Sequence, residues 1–140
     1  MPPKLNIRPF TEADRAAVIA LWQARNLTRP WNDPDSDIAL CMSKPESTIL
    51  VGESGSRIVA SVMCGHDGHR GWLYYLAVEP SFQKSGYGRA MVKAAEDWLL
   101  ARGVPKVMLM VRPENERVRA FYAALGYDLE ERLIFSRRLK

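Results

Sequence analysis

A chain of 140 residues with 47% hydrophobic and 26% charged residues has the make-up of one globular domain, and no apolar run reaches the length of a membrane span. The net charge of +4 suits an anionic small-molecule ligand but is too diffuse to mark a nucleic-acid surface. Cys41 and Cys64 lie in separate segments without a C-x-x-C pair, and no signal-type apolar core follows Met1, so reduced thiols in a cytoplasmic protein are expected.

Leu5 and Ile7 alternate with polar neighbours and predict a strand over 4–10. Thr11 with Glu12 and Asp14 has the form of a helix start, and Val18, Leu21 and Trp22 supply that helix's apolar stripe as far as Arg25. Residues 26–34 carry Pro30 and Pro34 and are expected to be irregular. A second helix over 35–43 buries Ile38, Leu40 or Cys41, and Met42 before Lys44-Pro45 closes it. Strands over 48–53 and 57–64 join through Gly55-Ser56, and 65–71 forms a further turn. The apolar run 73–78 reads as a strand buried on both faces, broken at Pro80. Tyr87, Met91, Ala94, Ala95 and Trp98 then recur at helical spacing, and Arg102-Gly103 ends that helix. A fifth strand over 106–111 stops at Pro113. Asn115 caps a last helix with Val118, Phe121, Tyr122 and Leu125 on one face, and Gly126 ends it. Strands over 127–129 and 133–139 complete a single α/β domain with a mixed sheet, about seven strands and four helices, spanning 1–140.

Between the 73–78 strand and the long helix stands Gln83-Lys84-Ser85-Gly86-Tyr87-Gly88-Arg89. A helix start offers backbone N–H groups and the positive end of the macrodipole, and Gly86 and Gly88 allow a bulky anion close approach. With Lys84 and Arg89 alongside, the stretch is a candidate pyrophosphate cradle. It is neither a P-loop, which needs Lys-Ser/Thr after the glycines, nor a dinucleotide fingerprint, since Gln83 stands where the first glycine belongs.

Gln83-x-x-Gly86-x-Gly88 resembles the acyl-CoA motif of the GCN5-related N-acetyltransferases (GNAT). A second block, Val111-Arg112-Pro113-Glu114-Asn115 followed by Arg119 to Leu125-Gly126-Tyr127, resembles that family's strand–Asn–helix–Tyr–Leu-Gly-aromatic segment. Order and separation are similar to the family over nearly the whole chain, in the manner of the ribosomal-protein alanine acetyltransferases and related small bacterial members. The resemblance implies a splayed central strand pair. It implies that Leu76, Ala77 and Val78 on the central strand bind the pantetheine arm, that Gln83, Lys84, Ser85, Gly86, Tyr87, Gly88 and Arg89 hold the pyrophosphate, and that Asn115 binds the pantetheine or a water near it. Acetyl-CoA is then the cosubstrate and a primary amine attacks its thioester directly. A backbone N–H near Ala77–Val78 would stabilise the oxyanion, and Tyr122 would protonate the departing sulfur.

The chain departs from the pattern at Met110, where related N-terminal acetyltransferases carry a glutamate as general base. Tyr74, Tyr75, Glu79 and His69 are substitutes by neighbourhood only, and a water chain serving an already neutral amine is the alternative. Trp31 and Asn32, in the segment between the first two helices, and Tyr75 are the candidate acceptor-binding residues. His66 and His69 share a turn but lack the ligand set of a metal site, so no metal is expected. A catalytically silent acyl-CoA-binding module and a nucleic-acid-binding module are the competing readings, the latter suggested only by the pI. The expected partners are acetyl-CoA and an amine, with neither nucleic acid nor membrane, in a monomer or homodimer.

Overall fold

The computed structural model describes residues 4–140. They fall into two compact units that divide between Leu109 and Met110. The first contains a five-stranded sheet: β1 (Leu5–Pro9), β2 (Ser47–Ser54), β3 (Arg57–His66), β4 (Gly71–Val78) and β5 (Val107–Met108), ordered β1-β2-β3-β4-β5. Neighbours pair antiparallel except β4 and β5, which are parallel and meet only at Gly71↔Val107 and Trp72↔Met108. Helices α1 (Arg15–Ala24), α2 (Pro34–Met42) and α3 (Tyr87–Leu100) pack on this sheet.

The apolar stripes of α1 and α2 explain their seats. Val18, Leu21 and Trp22 from α1 and Ile38 and Cys41 from α2 form one core with Phe10, Ile49, Val51 and Ala77. Side chains alternate faces along a strand, so Gly52, next to Val51, points the other way. There it meets α3: a Cβ on Gly52 would stand 3.2 Å from the Met91 sulfur and 2.8 Å from Leu5 Cδ1. α3 buries Tyr87, Met91, Val92, Ala95 and Leu99 and turns Lys93 and Asp97 to solvent, where they pair.

Helix ends follow local chemistry. α1 closes with Asn26 at φ +62°, its N–H bonded to the Gln23 carbonyl and that of Leu27 to the Trp22 carbonyl, the six-to-one, five-to-two pattern of a Schellman cap. Gly103 at φ +77° ends the α3 segment in the same way, through Gly103 to Leu100 and Val104 to Leu99. Asp33 caps α2, its carboxylate accepting from the Asp35 N–H and the Ser36 hydroxyl.

The second unit holds α4 (Glu116–Ala124), capped by Asn115, whose Oδ1 accepts from the Val118 N–H at 3.3 Å. Gly126 and Tyr127 donate back to Ala123 and Tyr122 and stop it.

The mixed α/β class and the four α-helices match expectation, whereas the strand count does not. The fifth strand, expected over 106–111, is reduced to Val107–Met108, because its ladder with β4 runs for two rungs only. The strands expected over 127–129 and 133–139 are absent among the described residues: a strand exists only where another backbone takes up its N–H and C=O groups, and no ladder reaches this segment. Leu129, Leu133, Phe135 and Leu139 accordingly remain exposed. Cys41 and Cys64 are free and buried; burial pushes the Cys64 thiol up to about 12. No helix among the described residues is long and apolar enough to cross a membrane.

Candidate active site

The middle of β4 is where the sheet departs from regularity. Ser61 on β3 faces Ala77 and Met63 faces Tyr74, so Val62 alone stands opposite both Tyr75 and Leu76. This is a β-bulge with its extra residue on β4. Tyr75 takes φ +52° within it, a left-handed conformation that an aromatic residue adopts only when its surroundings hold it. A bulge leaves backbone groups outside the ladder. On the other edge of β4 the pairing with β5 has already stopped at Trp72, so beyond it, among the described residues, no strand covers that edge. Leu76, Ala77 and Val78, the expected pantetheine-binding residues, form this uncovered stretch.

Eight residues of chain, 79–86, then carry β4 to the helix. Pro80–Phe82 makes one 3-10 turn and Gln83 is extended. Lys84 and Gly86 both sit at positive φ, +65° and +87°. Two left-handed residues so close together turn the backbone into α3, where the N–H groups of Gly88 and Arg89 start the helix without partners in its own turns. A Cβ on Gly86 would meet nothing within 4 Å, so the loop faces open space at the position where an anion would approach. Lys84, Gly86 and Arg89 are exposed. Ser85 turns its hydroxyl onto the Phe82 carbonyl, and the Tyr87 ring is buried against Phe82 with centroids 5.7 Å apart. The first unit thus carries Gln83 to Arg89 as one continuous loop and helix start.

In the second unit Tyr122 is buried, its ring edge-on to Phe121 and Tyr127. Burial pushes its phenol up to about 12, which keeps the proton on through the neutral range. Asn115 spends its carbonyl oxygen on the α4 cap, and its amide NH2 keeps donor capacity. Met110 is half exposed.

The acceptor-side candidates lie apart in character. Trp31 is 56% exposed and Asn32 is exposed, its N–H bonded to the Arg29 carbonyl in a turn that precedes the α2 cap. Tyr75 instead lays its ring flat on Trp22, 3.8 Å between centroids and 8° between planes, and donates its hydroxyl to Asp37 at 2.6 Å. Burial first, then Asp37, raises the Tyr75 phenol above its ordinary value. Of the substitutes for a general base, Glu79 takes Arg57 Nη2 on both oxygens at 2.8 Å, and His69 is exposed in a turn organised by Asp67, which accepts from the His69 and Arg70 N–H groups. Among the described residues no group of three or more His, Cys, Asp or Glu is placed to hold a metal.

Residues that hold Tyr75 in place escape a reading of the sequence. Trp22 reads as core and Asp37 as an acidic first-turn residue. Ser61 reads as a polar interruption in an apolar strand, and that interruption is the one signal present. In the fold Trp22 Nε1 donates to Ser61 Oγ at 2.8 Å, and Ser61 donates to the Tyr75 carbonyl at 3.1 Å.

Residues 16–127 match the acetyltransferase (GNAT) family, a stretch that includes the bulge, the loop and Tyr122. An acetyltransferase of Yersinia enterocolitica is 42% identical over 135 residues, covering 96% of each chain. One of Pectobacterium atrosepticum is 43% identical over the same share of both. Among solved structures, an aminoglycoside N-acetyltransferase in complex with CoA superposes with a TM-score of 0.84 over 100% of this chain and 98% of that one, at 18% identity, a likeness of fold. Matched over most of its length and more than 40% identical to these relatives, the chain belongs to the GNAT family of acetyltransferases.

Proposed function

We propose that this protein is an acetyl-CoA-dependent N-acetyltransferase acting on a primary amine, either a protein or peptide N-terminus or a small-molecule amine, with residues 1–140 forming one catalytic domain. The observation that carries the reading is the bulged, uncovered β4 running into a loop with two left-handed residues ahead of α3, in a chain of this family. Solved neighbours of the same fold include one crystallised with CoA.

The residues fit the donor. Uncovered backbone groups of Leu76, Ala77 and Val78 suit an amide-bearing arm, which pairs with an open strand edge as another strand would. Gln83 to Arg89 present helix-start N–H groups, with Lys84 and Arg89 alongside, to a pyrophosphate. Asn115 supplies a further donor. An N–H of the bulge segment donates to the acetyl carbonyl as it gains negative charge, a contribution of roughly 3 kcal/mol where one such donor is removed. Tyr122 protonates the departing sulfur. Its phenol keeps its proton through the neutral range, so a proton is available where the sulfur departs. Glu79 is committed to Arg57, and Met110 has no basic group, so the amine loses its proton to water. Trp31, Asn32 and Tyr75 line the acceptor side. Two buried free thiols accord with a cytoplasmic location.

The test is release of free thiol from acetyl-CoA with peptides bearing free N-termini, lysine peptides, polyamines and amino acids in parallel. Turnover with one class names the acceptor. Coenzyme A binding without turnover on any amine would favour the silent binding module instead. Gly86→Val should abolish the rise in Tm that coenzyme A causes, since valine resists φ +87° and crowds the phosphates. Unchanged affinity in a folded variant would remove the loop from the site.

A further inference from the structure

Tyr75 is held in its left-handed conformation at three points of its own structure by three different elements. Trp22 of α1 covers its ring face. Ser61 of β3, itself oriented by the Trp22 indole N–H, donates to its carbonyl. Asp37 of α2 receives its hydroxyl at 2.6 Å, a short bond of the kind a carboxylate makes with a phenol. Ring plane and carbonyl are therefore set by groups beneath the sheet face, while the far end of the side chain is anchored to the helix that follows Trp31 and Asn32. That helix is itself tied back, since the Asp37 N–H donates to the carbonyl of Asp33, its capping residue.

We propose that Asp37, acting through the Tyr75 hydroxyl, is a positioning residue that fixes the β4 bulge and so aims the Leu76 backbone N–H at the acetyl carbonyl. The proposal rests on the acetyl-CoA reading above. Asp37 touches neither reactant; its effect passes through a conformation that Tyr75 does not favour by itself. Without the anchor, Tyr75 retains its stack and its carbonyl contact but has one restraint fewer against relaxing toward ordinary strand geometry, which would swing the adjacent peptide N–H groups. Misplacement of about an ångström at a reacting centre costs up to about 10²-fold in rate. The anchor also joins the two sides of the reaction, because α2 begins where the acceptor segment ends.

Wild type, Tyr75→Phe, Asp37→Ala, Asp37→Asn and the Tyr75→Phe/Asp37→Ala double variant are compared by steady-state acetyl transfer, coenzyme A calorimetry and amide hydrogen exchange. Tyr75→Phe and Asp37→Ala should each lower kcat by about 10–100-fold with coenzyme A affinity within about twofold of wild type. The double variant should be no slower than either single one, because both remove the same contact. Asp37→Asn keeps an acceptor oxygen and should recover most of the loss. Exchange at Leu76 and Ala77 should quicken in the impaired variants while the β2–β3 ladder stays protected. Turnover within twofold of wild type in both single variants, or additive losses in the double, overturns the proposal. If wild type neither binds coenzyme A nor transfers acetyl groups, the acetyl-CoA reading fails separately. Amide exchange then decides the positioning role: unchanged exchange at Leu76 and Ala77 in Asp37→Ala overturns it.

Discussion

Asp14 shows how one carboxylate organises the start of the chain. It is 6% exposed and accepts from Arg8 Nη1 and Nη2 at 2.7 and 2.8 Å and from the Thr11 N–H at 2.8 Å. The Arg8 hydrogen bonds are the main reason its pKa falls to about 2. A carboxyl group depressed in the folded state stabilises fully above its unfolded pKa of about 4, and that stabilisation is lost as pH falls toward 2. The contribution is on the order of 1–2 kcal/mol after allowing for partial solvation of Arg8. Asp14→Asn should thus lower stability by about that amount at pH 7 in urea unfolding, and by about half as much at pH 3. An equal loss at both pH values would mean that packing, not charge, is what Asp14 provides. Tyr122 is the counterpart on the chemical side. Tyr122→Phe removes one hydroxyl from a buried ring and should keep fold and coenzyme A affinity while lowering the chemical step by about 10²–10⁴-fold. Turnover within a factor of two would leave Tyr122 a core residue.

At the scale of elements, close approach decides which positions tolerate change. α3 lies against β2 and β3 where Gly52 and Ala60 keep the surface low, and a methyl group on Gly52 would stand 3.2 Å from both Ala60 Cβ and the Met91 sulfur. Leu5 and Met91 can give way, whereas Ala60 cannot without moving its strand. Gly52→Ala should therefore destabilise by about 1–3 kcal/mol, seen as a lower urea midpoint with unchanged slope. Elements of this kind were legible where one residue type answers one local demand. Gly103 after a basic residue announced a helix end, Asn115 a cap, and Gly86 with Gly88 a loop that opens a helix. The bulge was not legible. Tyr75 sits in a run of Tyr, Leu, Ala and Val that favours regular strand, and its φ is imposed by Trp22, Ser61 and Asp37, remote in sequence. Leu133 to Leu139 erred in the opposite sense. Their alternation records a tendency to extend, and that tendency becomes a strand only when a partner edge exists.

For the molecule as a whole, the chemistry turns on which group sets the pH dependence. Glu79 is paired with Arg57 and His69 lies exposed in its turn, so neither is placed as a dedicated base. The rising limb of the kcat/KM profile should then follow the acceptor's own amine. Two acceptors differing by about one pKa unit should give limbs displaced by about that unit when chemistry limits the rate, and His69→Ala and Glu79→Gln should each leave the limb in place. A limb fixed near pH ~6.5 for both acceptors and lost in His69→Ala would make the histidine the base.

The order of the sheet has a consequence for how the chain acquires its fold. Strands lie side by side in the order in which they leave the ribosome, and β2, β3 and β4 follow one another through short connections. Contacts among them are local, so little chain entropy is lost before they begin to stabilise one another, and topologies of this kind fold quickly. The parallel β4–β5 pairing must wait for α3 to be made and packed, and it consists of two rungs. The bulged segment is therefore shaped from one side, by β3 and the helices that hold Tyr75. Its other edge stays without a strand among the described residues because the β4–β5 pairing ends at Trp72, so the shape of the bulge does not depend on that late contact.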